Sequence, residues 1–207
     1  MTPVSATALR ALPDRETVVQ DTIHWLERAV IGLNLCPFAK GVHAKGQIHY
    51  VVSAASDQEA LLDDLAHELD ALAASSPEKR DTTLLMAPGC LGDFLEFNDF
   101  LAAVDGLVDA LDLGGILQVA SFHPQFQFAG TELDDVTNCT NRSPYPTLHL
   151  LREESIDQAV KVFPEAEAIF ERNMRVLEEM GMQGWQSLGV GPRCPVARAE
   201  FLVDSQA

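Results

Sequence analysis

Two histidines and one arginine lie near the two ends of a long predicted loop, and all three could do chemistry. His123 follows an apolar run, Arg142 lies in the turn 141–146, and His149 lies within the next apolar run. Histidine titrates near neutral pH and can move a proton, whereas the guanidinium fork suits a carboxylate or phosphate. We therefore expect His123 and His149 to be catalytic and Arg142 to hold an anion. The alternative for each histidine is a structural bond to the backbone.

The turn that carries Arg142 is stiffened by two prolines two positions apart. Proline fixes its own φ and pushes the preceding residue to an extended conformation. Side chains on such a backbone point in fixed directions, so we expect four of them to bind substrate: Asn141, Arg142, Ser143 and Tyr145. The alternative is a strand entry that resists fraying, with Arg142 paired to a nearby acid.

Cys36 is a candidate nucleophile just after the first predicted helix. A neighbouring cation such as Lys40 could lower its pKa, although the C-terminal end of a helix disfavours a thiolate. Lys40 and Arg152 are further candidate substrate-binding residues. A metal site is a weaker alternative, because its candidate ligands do not form a close-spaced pair; they are His123, His149, Cys36 and Cys139.

Three short motifs resemble a family of bacterial proteins classified as a domain of unknown function. They are Leu-Cys-Pro-Phe-Ala at 35–39, Phe-His-Pro at 122–124, and the run 141–153 that begins Asn-Arg-Ser-Pro-Tyr-Pro. The last run is the most specific of the three. The resemblance extends from about residue 17 to about residue 188 and implies no activity.

The chain of 207 residues carries a net charge of −17. That charge argues against nucleic acid and anionic membranes as partners, because both need a cationic surface. No apolar run reaches the ~18 residues of a membrane span and the N-terminus does not resemble a signal peptide, so we expect a cytoplasmic protein. Several segments of the chain contain basic residues but no Asp or Glu; their basic residues include Lys40, Lys45, Arg142 and Arg193. These segments predict a positively charged cleft. The alternative is that they are simply strands and adjacent loops that are poor in acidic residues.

The hydrophobic pattern predicts one α/β (α+β) domain over residues 15–188, with loosely ordered ends at 1–14 and 189–207. The predicted order is α-β-α-β-α-β, a long loop, then β-α. We expect a four-stranded mixed sheet packed by helices in a two-layer, roughly ferredoxin-like sandwich. A small three-layer doubly wound domain is the alternative. Helical crossovers imply parallel neighbouring strands.

The leading functional hypothesis is a small enzyme that acts on an anionic small molecule, with an arginine anion clamp and a histidine acid or base. One alternative is a non-catalytic module that binds a ligand or a metal. Another is a structural or interaction protein that uses the proline-rich turn as a docking edge. The sequence does not indicate whether the protein has a cofactor or what its oligomeric state is.

Overall fold

A computed structural model describes residues 12–162 and 168–191 of the chain. Its sheet has four strands: β1 (Ile48–Val52), β2 (Thr82–Met86), β3 (Leu117–Phe122) and β4 (Thr147–Arg152). Their spatial order is β1-β2-β4-β3. β1 and β2 are parallel, whereas β4 is antiparallel to both of its neighbours.

One face of the sheet is covered by two long helices, α3 (Gln58–Ala74) and α4 (Phe94–Ala110). Each is preceded by an aspartate whose carboxylate accepts from the first turn: Asp57 accepts from one backbone N–H group of α3, and Asp93 accepts from two of α4. This is the usual N-cap contact. Their apolar stripes pack on alternate strand residues and form the largest core cluster, which includes Leu61, Leu65, Leu69, Phe97, Val104, Leu148 and Leu150.

The opposite face is covered only in part. Helix α1 (Arg15–Trp25) continues directly as a π-helix (Leu26–Ile31), and the short α2 (Ala39–Ala44) follows. Helix α5 (Glu153–Val162) follows β4 and packs against it. The spacing of apolar residues predicts one α-helix from about Arg15 to Leu33. The structure has a helix from Arg15 to Ile31 that is followed by a turn, and the second half of that helix has the wider π geometry, which is rare and is often found at functional sites.

Helix α6 (Ala168–Ser187) packs on a 3-10 helix (Val136–Asn141) of the loop between β3 and β4. Gly181, which the sequence placed at the end of the last helix, interrupts α6 with φ 66° and ψ 171°. Glycine tolerates that left-handed φ. Pro164, the predicted start of this helix, lies outside the described residues, as do 1–11 and 192–207 of the predicted loose ends.

The α+β class and the four-stranded mixed sheet are confirmed. The crossover rule correctly gave the parallel β1–β2 pair. It does not make β2 and β3 neighbours, because β4 lies between them and pairs with both. None of the helices in the described ranges is long and apolar enough to span a lipid bilayer.

Candidate functional site

A cavity of about 660 Å³ lies on the partly covered face of the sheet. Its walls come from the end of α1, the π-helix, α2 and α5, and its floor is the sheet itself. Most of the side chains around it are apolar; among them are Trp25, Leu26, Val30, Phe38, Val42, Ile48, Leu84, Ala120, Phe122, Leu151 and Ile156. A cavity of this size and character is typical of small-molecule sites.

His149 lies at the centre of the cavity floor. Side chains alternate along a strand, so His149 and Leu151 face the cavity while Leu148 and Leu150 enter the opposite core. The direct neighbours of His149 across the sheet are Leu84 on β2 and Ala120 on β3. The small Ala120 leaves room beside the imidazole ring.

The surroundings of His149 hold it neutral. Burial lowers its pKa from 6.5 to about 4, because the apolar environment disfavours the imidazolium. The ring is enclosed by protein, but part of its surface is open to the cavity. The Phe122 ring lies 6.0 Å away, centroid to centroid. Neither ring nitrogen forms a hydrogen bond with another described residue, so the neutral ring of His149 presents one donor and one acceptor to the cavity.

Cys36 also lines the cavity. Burial raises the pKa of its thiol, while the backbone N–H groups of Phe38 and Ala39 act in the opposite direction. Burial is the larger effect, so the group is a thiol rather than a thiolate at neutral pH. Helix α6 fixes this segment, since Arg172 donates to the carbonyl of Asn34 and Asn173 donates to that of Leu35.

Three charged side chains lie at the rim of the cavity: Lys45, Asp81 and Arg152. Arg152 donates to backbone carbonyls at the C-terminal end of α3, including those of Leu72 and Ser75 at 2.6 Å. Asp81 accepts from the Ser155 hydroxyl at 2.6 Å, which ties the start of α5 to the sheet. The Lys45 side chain is exposed, and its ammonium makes neither an ion pair nor a hydrogen bond within the described part of the chain. The predicted binder Lys40 is also exposed but does not line the cavity.

His123 lies on the other face of the sheet, fully buried between Phe94 and Phe97 of α4. Its Nδ1 accepts from the backbone N–H of Gln125, and its Nε2 donates to the carbonyl of Leu91, both at 3.0 Å. Desolvation lowers its pKa to about 4. His123 therefore does not line the cavity that contains His149, and its contacts are those of the structural alternative.

The Leu91 carbonyl that His123 binds belongs to a strained residue. Leu91 has φ 54°, in the left-handed region that branched side chains rarely adopt, and it is buried. A backbone held in this conformation needs support from its surroundings. The hydrogen bond from His123 supplies part of that support.

The proline-stiffened turn is directed into the protein. Arg142 donates to the loop carbonyls of Phe126 and Leu133, at 3.2 and 2.7 Å. Asn141 donates to the carbonyl of Ser121 at 3.3 Å, and the Ser143 hydroxyl donates to the carbonyl of Tyr145 at 2.6 Å. Tyr145 is buried, and its hydroxyl donates to Asp21 at 2.8 Å. These contacts make the turn a clamp on the loop.

The predicted positive cleft does not bring its cations together. Lys45 precedes β1, at the sheet end where Ile48 pairs with Thr82. Arg142 lies at the opposite end, beyond the pairing of Phe122 with Thr147. Arg193 lies outside the described residues. Among the residues that the structure describes, no three His, Cys, Asp or Glu side chains are grouped closely enough to hold a metal ion. Cys139, one of the candidate metal ligands, is fully buried.

Two polar residues of the floor escaped the sequence analysis. Thr82 and Gln118 both lie level with Leu151, one strand to either side of β4. The Thr82 hydroxyl donates to the carbonyl of Leu150 at 2.5 Å. Gln118 could have been found by strand alternation, because it shares a face with Ala120 and Phe122. Nothing in the sequence indicated that this face would stay partly uncovered.

Comparisons with curated proteins and with solved structures find no match. A family model does match, over residues 17–187, and its description is "Protein of unknown function (DUF1415)". The match covers most of the chain and includes His123, His149, Cys36, the cavity floor and the proline-stiffened turn. The chain therefore belongs to the DUF1415 family.

Proposed function

We propose that this protein binds a small molecule in the cavity on the sheet face, and that His149 is its main polar contact. One observation carries the proposal. A neutral imidazole with no hydrogen bond to another described residue lies at the centre of a large, mostly apolar cavity. Ligand sites commonly combine apolar walls with a few such polar groups.

Packing and polarity both argue for a ligand site rather than loosely packed core. Protein interiors contain few voids larger than a water molecule, and this cavity measures about 660 Å³. Buried polar side chains normally have a hydrogen-bond partner, which is either protein or ordered water. His123, on the other face, does so with both ring nitrogens, whereas His149 does not. The contrast supports a ligand as the partner of His149.

Catalysis is the second candidate, because Cys36 lines the same cavity as His149. The proposal retains the small molecule and the histidine of the sequence-based hypothesis, but places them in the cavity instead of at the turn. A pKa of about 4 makes His149 a weak base at pH 7. Burial also keeps Cys36 protonated. Binding is therefore proposed first, and proton transfer by His149 requires a substrate that raises its pKa.

The test is to fill the cavity. The neutral fluorescent probe N-phenyl-1-naphthylamine is titrated into the wild type, Ala120→Phe and a control, Leu95→Phe. Ala120 faces the cavity beside His149, whereas Leu95 is exposed on α4. We expect the wild type and the control to bind the probe alike, and Ala120→Phe to bind at least about tenfold more weakly at an unchanged or higher melting temperature.

Two results would overturn the proposal. The first is a wild type that does not bind the probe. The second is a folded Ala120→Phe variant that binds it as tightly as the wild type does, since the probe would then lie elsewhere.

A further inference from the structure

We infer that the ligand of this cavity is an amphipathic monoanion, with an apolar body inside the cavity and one carboxylate paired with Lys45 at the rim. The inference presupposes the binding function proposed above and names the chemical class of the ligand.

Lys45 is the first observation. It forms the C-cap of α2 and lines the cavity rim. The chain has 31 acidic residues against 14 lysines and arginines, so a basic residue has many potential partners. Even so, the Lys45 ammonium forms no ion pair and no hydrogen bond within residues 12–162 and 168–191. An exposed ammonium with this position can pair with a ligand that enters the cavity.

The other rim charges leave Lys45 as the group best placed to bind an anion. Arg152 is cationic too, but its guanidinium donates to the carbonyls of Leu72, Ser75 and Arg80. The Asp81 carboxylate is bonded to Ser155. Two cations against one carboxylate give the rim a positive balance in a strongly acidic protein, which favours an anion over a cation there.

The interior determines the rest of the ligand. Ile156 and Ala159 of α5 lie across the cavity from Leu84 and Leu151 of the sheet. A carboxylate buried among them would lose its hydration, at a high cost in free energy. At the rim it keeps contact with water and pairs with Lys45. The apolar body then extends toward His149, which can bond a hydroxyl, carbonyl or amide group.

The experiment compares two probes with the same tail. Decanoate and decan-1-ol displace N-phenyl-1-naphthylamine at pH 8 and low salt, from the wild type, Lys45→Met and Lys45→Arg. Lys79→Met is the control, because Lys79 is exposed and does not line the cavity. All four proteins are first checked for equal melting temperatures.

We expect the wild type to prefer decanoate by about fivefold, the upper range for an exposed ion pair. Lys45→Met should lose that preference without changing its affinity for decan-1-ol. Lys45→Arg and Lys79→Met should keep it, and added salt should reduce it in every variant that shows it.

The outcomes separate this inference from the function it presupposes. If both probes displace equally from the wild type, the carboxylate assignment is wrong but the cavity still binds apolar molecules. If Lys45→Met keeps the preference for decanoate, the carboxylate pairs with another group and the rim assignment is wrong. If neither decan-1-ol nor decanoate displaces the naphthylamine, and Ala120→Phe binds it normally, the proposed function itself fails.

Discussion

Replacing His149 by phenylalanine should make the protein more resistant to acid. The folded protein holds the pKa of His149 at about 4, against 6.5 for a histidine that is fully exposed to water. Between these values the unfolded state binds the extra proton, so the contribution of the neutral ring to stability is complete above pH 6.5 and declines as the pH falls toward 4. Phenylalanine fills similar space and cannot be protonated.

The size of the pKa shift of His149 sets the size of the expected change in the free energy of unfolding. A pKa difference of this size corresponds to about 3 kcal/mol once the pH is below both values, and to about 2 kcal/mol at pH 5. Water that enters the cavity would solvate the imidazolium, so these figures are upper values. Replacement should break no bond to a described residue, because the ring nitrogens form none. The two proteins should therefore have similar free energies of unfolding at pH 8, within about 1 kcal/mol.

The assay is urea unfolding of the wild type and His149→Phe at several pH values from 8 to 5. The free energy of the variant minus that of the wild type is plotted against pH, which cancels the effects of the carboxylates and of His123. We expect the difference to rise by about 1–2 kcal/mol in favour of the variant by pH 5. A flat difference would refute the reasoning, because His149 would then titrate alike in the folded and unfolded states.

Three further substitutions, one of them with a control variant, test other parts of the fold. Arg142→Ala should lower the melting temperature without any anion present, since Arg142 donates hydrogen bonds to two loop carbonyls. An unchanged melting temperature together with loss of anion binding would instead support Arg142 as the anion-binding residue. Gly32→Ala should destabilise the π-helix by about 1–3 kcal/mol, because a Cβ there would lie 2.3 Å from the carbonyl oxygen of Arg28. Gly106→Ala, whose Cβ meets nothing within 4 Å, should instead stabilise α4 by about 0.5–1 kcal/mol, and equal effects of the two would contradict this. His123→Phe should lose about 1–3 kcal/mol in urea unfolding, because the buried carbonyl of Leu91 loses its partner; a smaller loss than that of Arg142→Ala would count against its structural role.

The sequence predicted what depends on local pattern. The alternation of side chains along a strand predicts that His149 faces away from Leu148 and Leu150, as the structure shows. Asp93, three residues before Glu96, predicts the start of α4, where Asp93 is the N-cap. The sequence could not show which face of the sheet the helices would leave partly uncovered, because that depends on how α5 packs after β4. The position of His123 at a strand end was predicted correctly, but its partner Leu91 lies 32 residues away in the chain. The stiffness of the proline turn was also recognised, although its contacts point inward.

The position of β4 between β2 and β3 has a consequence for synthesis of the chain. β3 pairs only with β4 among the described strands, and β2 borders β4 on one side. Until residues 147–152 leave the ribosome, both strands present unpaired edges, which are templates for association with other chains. The edges of β2 and β3 therefore stay exposed during translation while the loop between β3 and β4 is being made. A pause after β3 has left the ribosome and before β4 has followed should therefore yield the most aggregation-prone nascent chain. The cavity floor is completed only when His149 takes its place between β2 and β3.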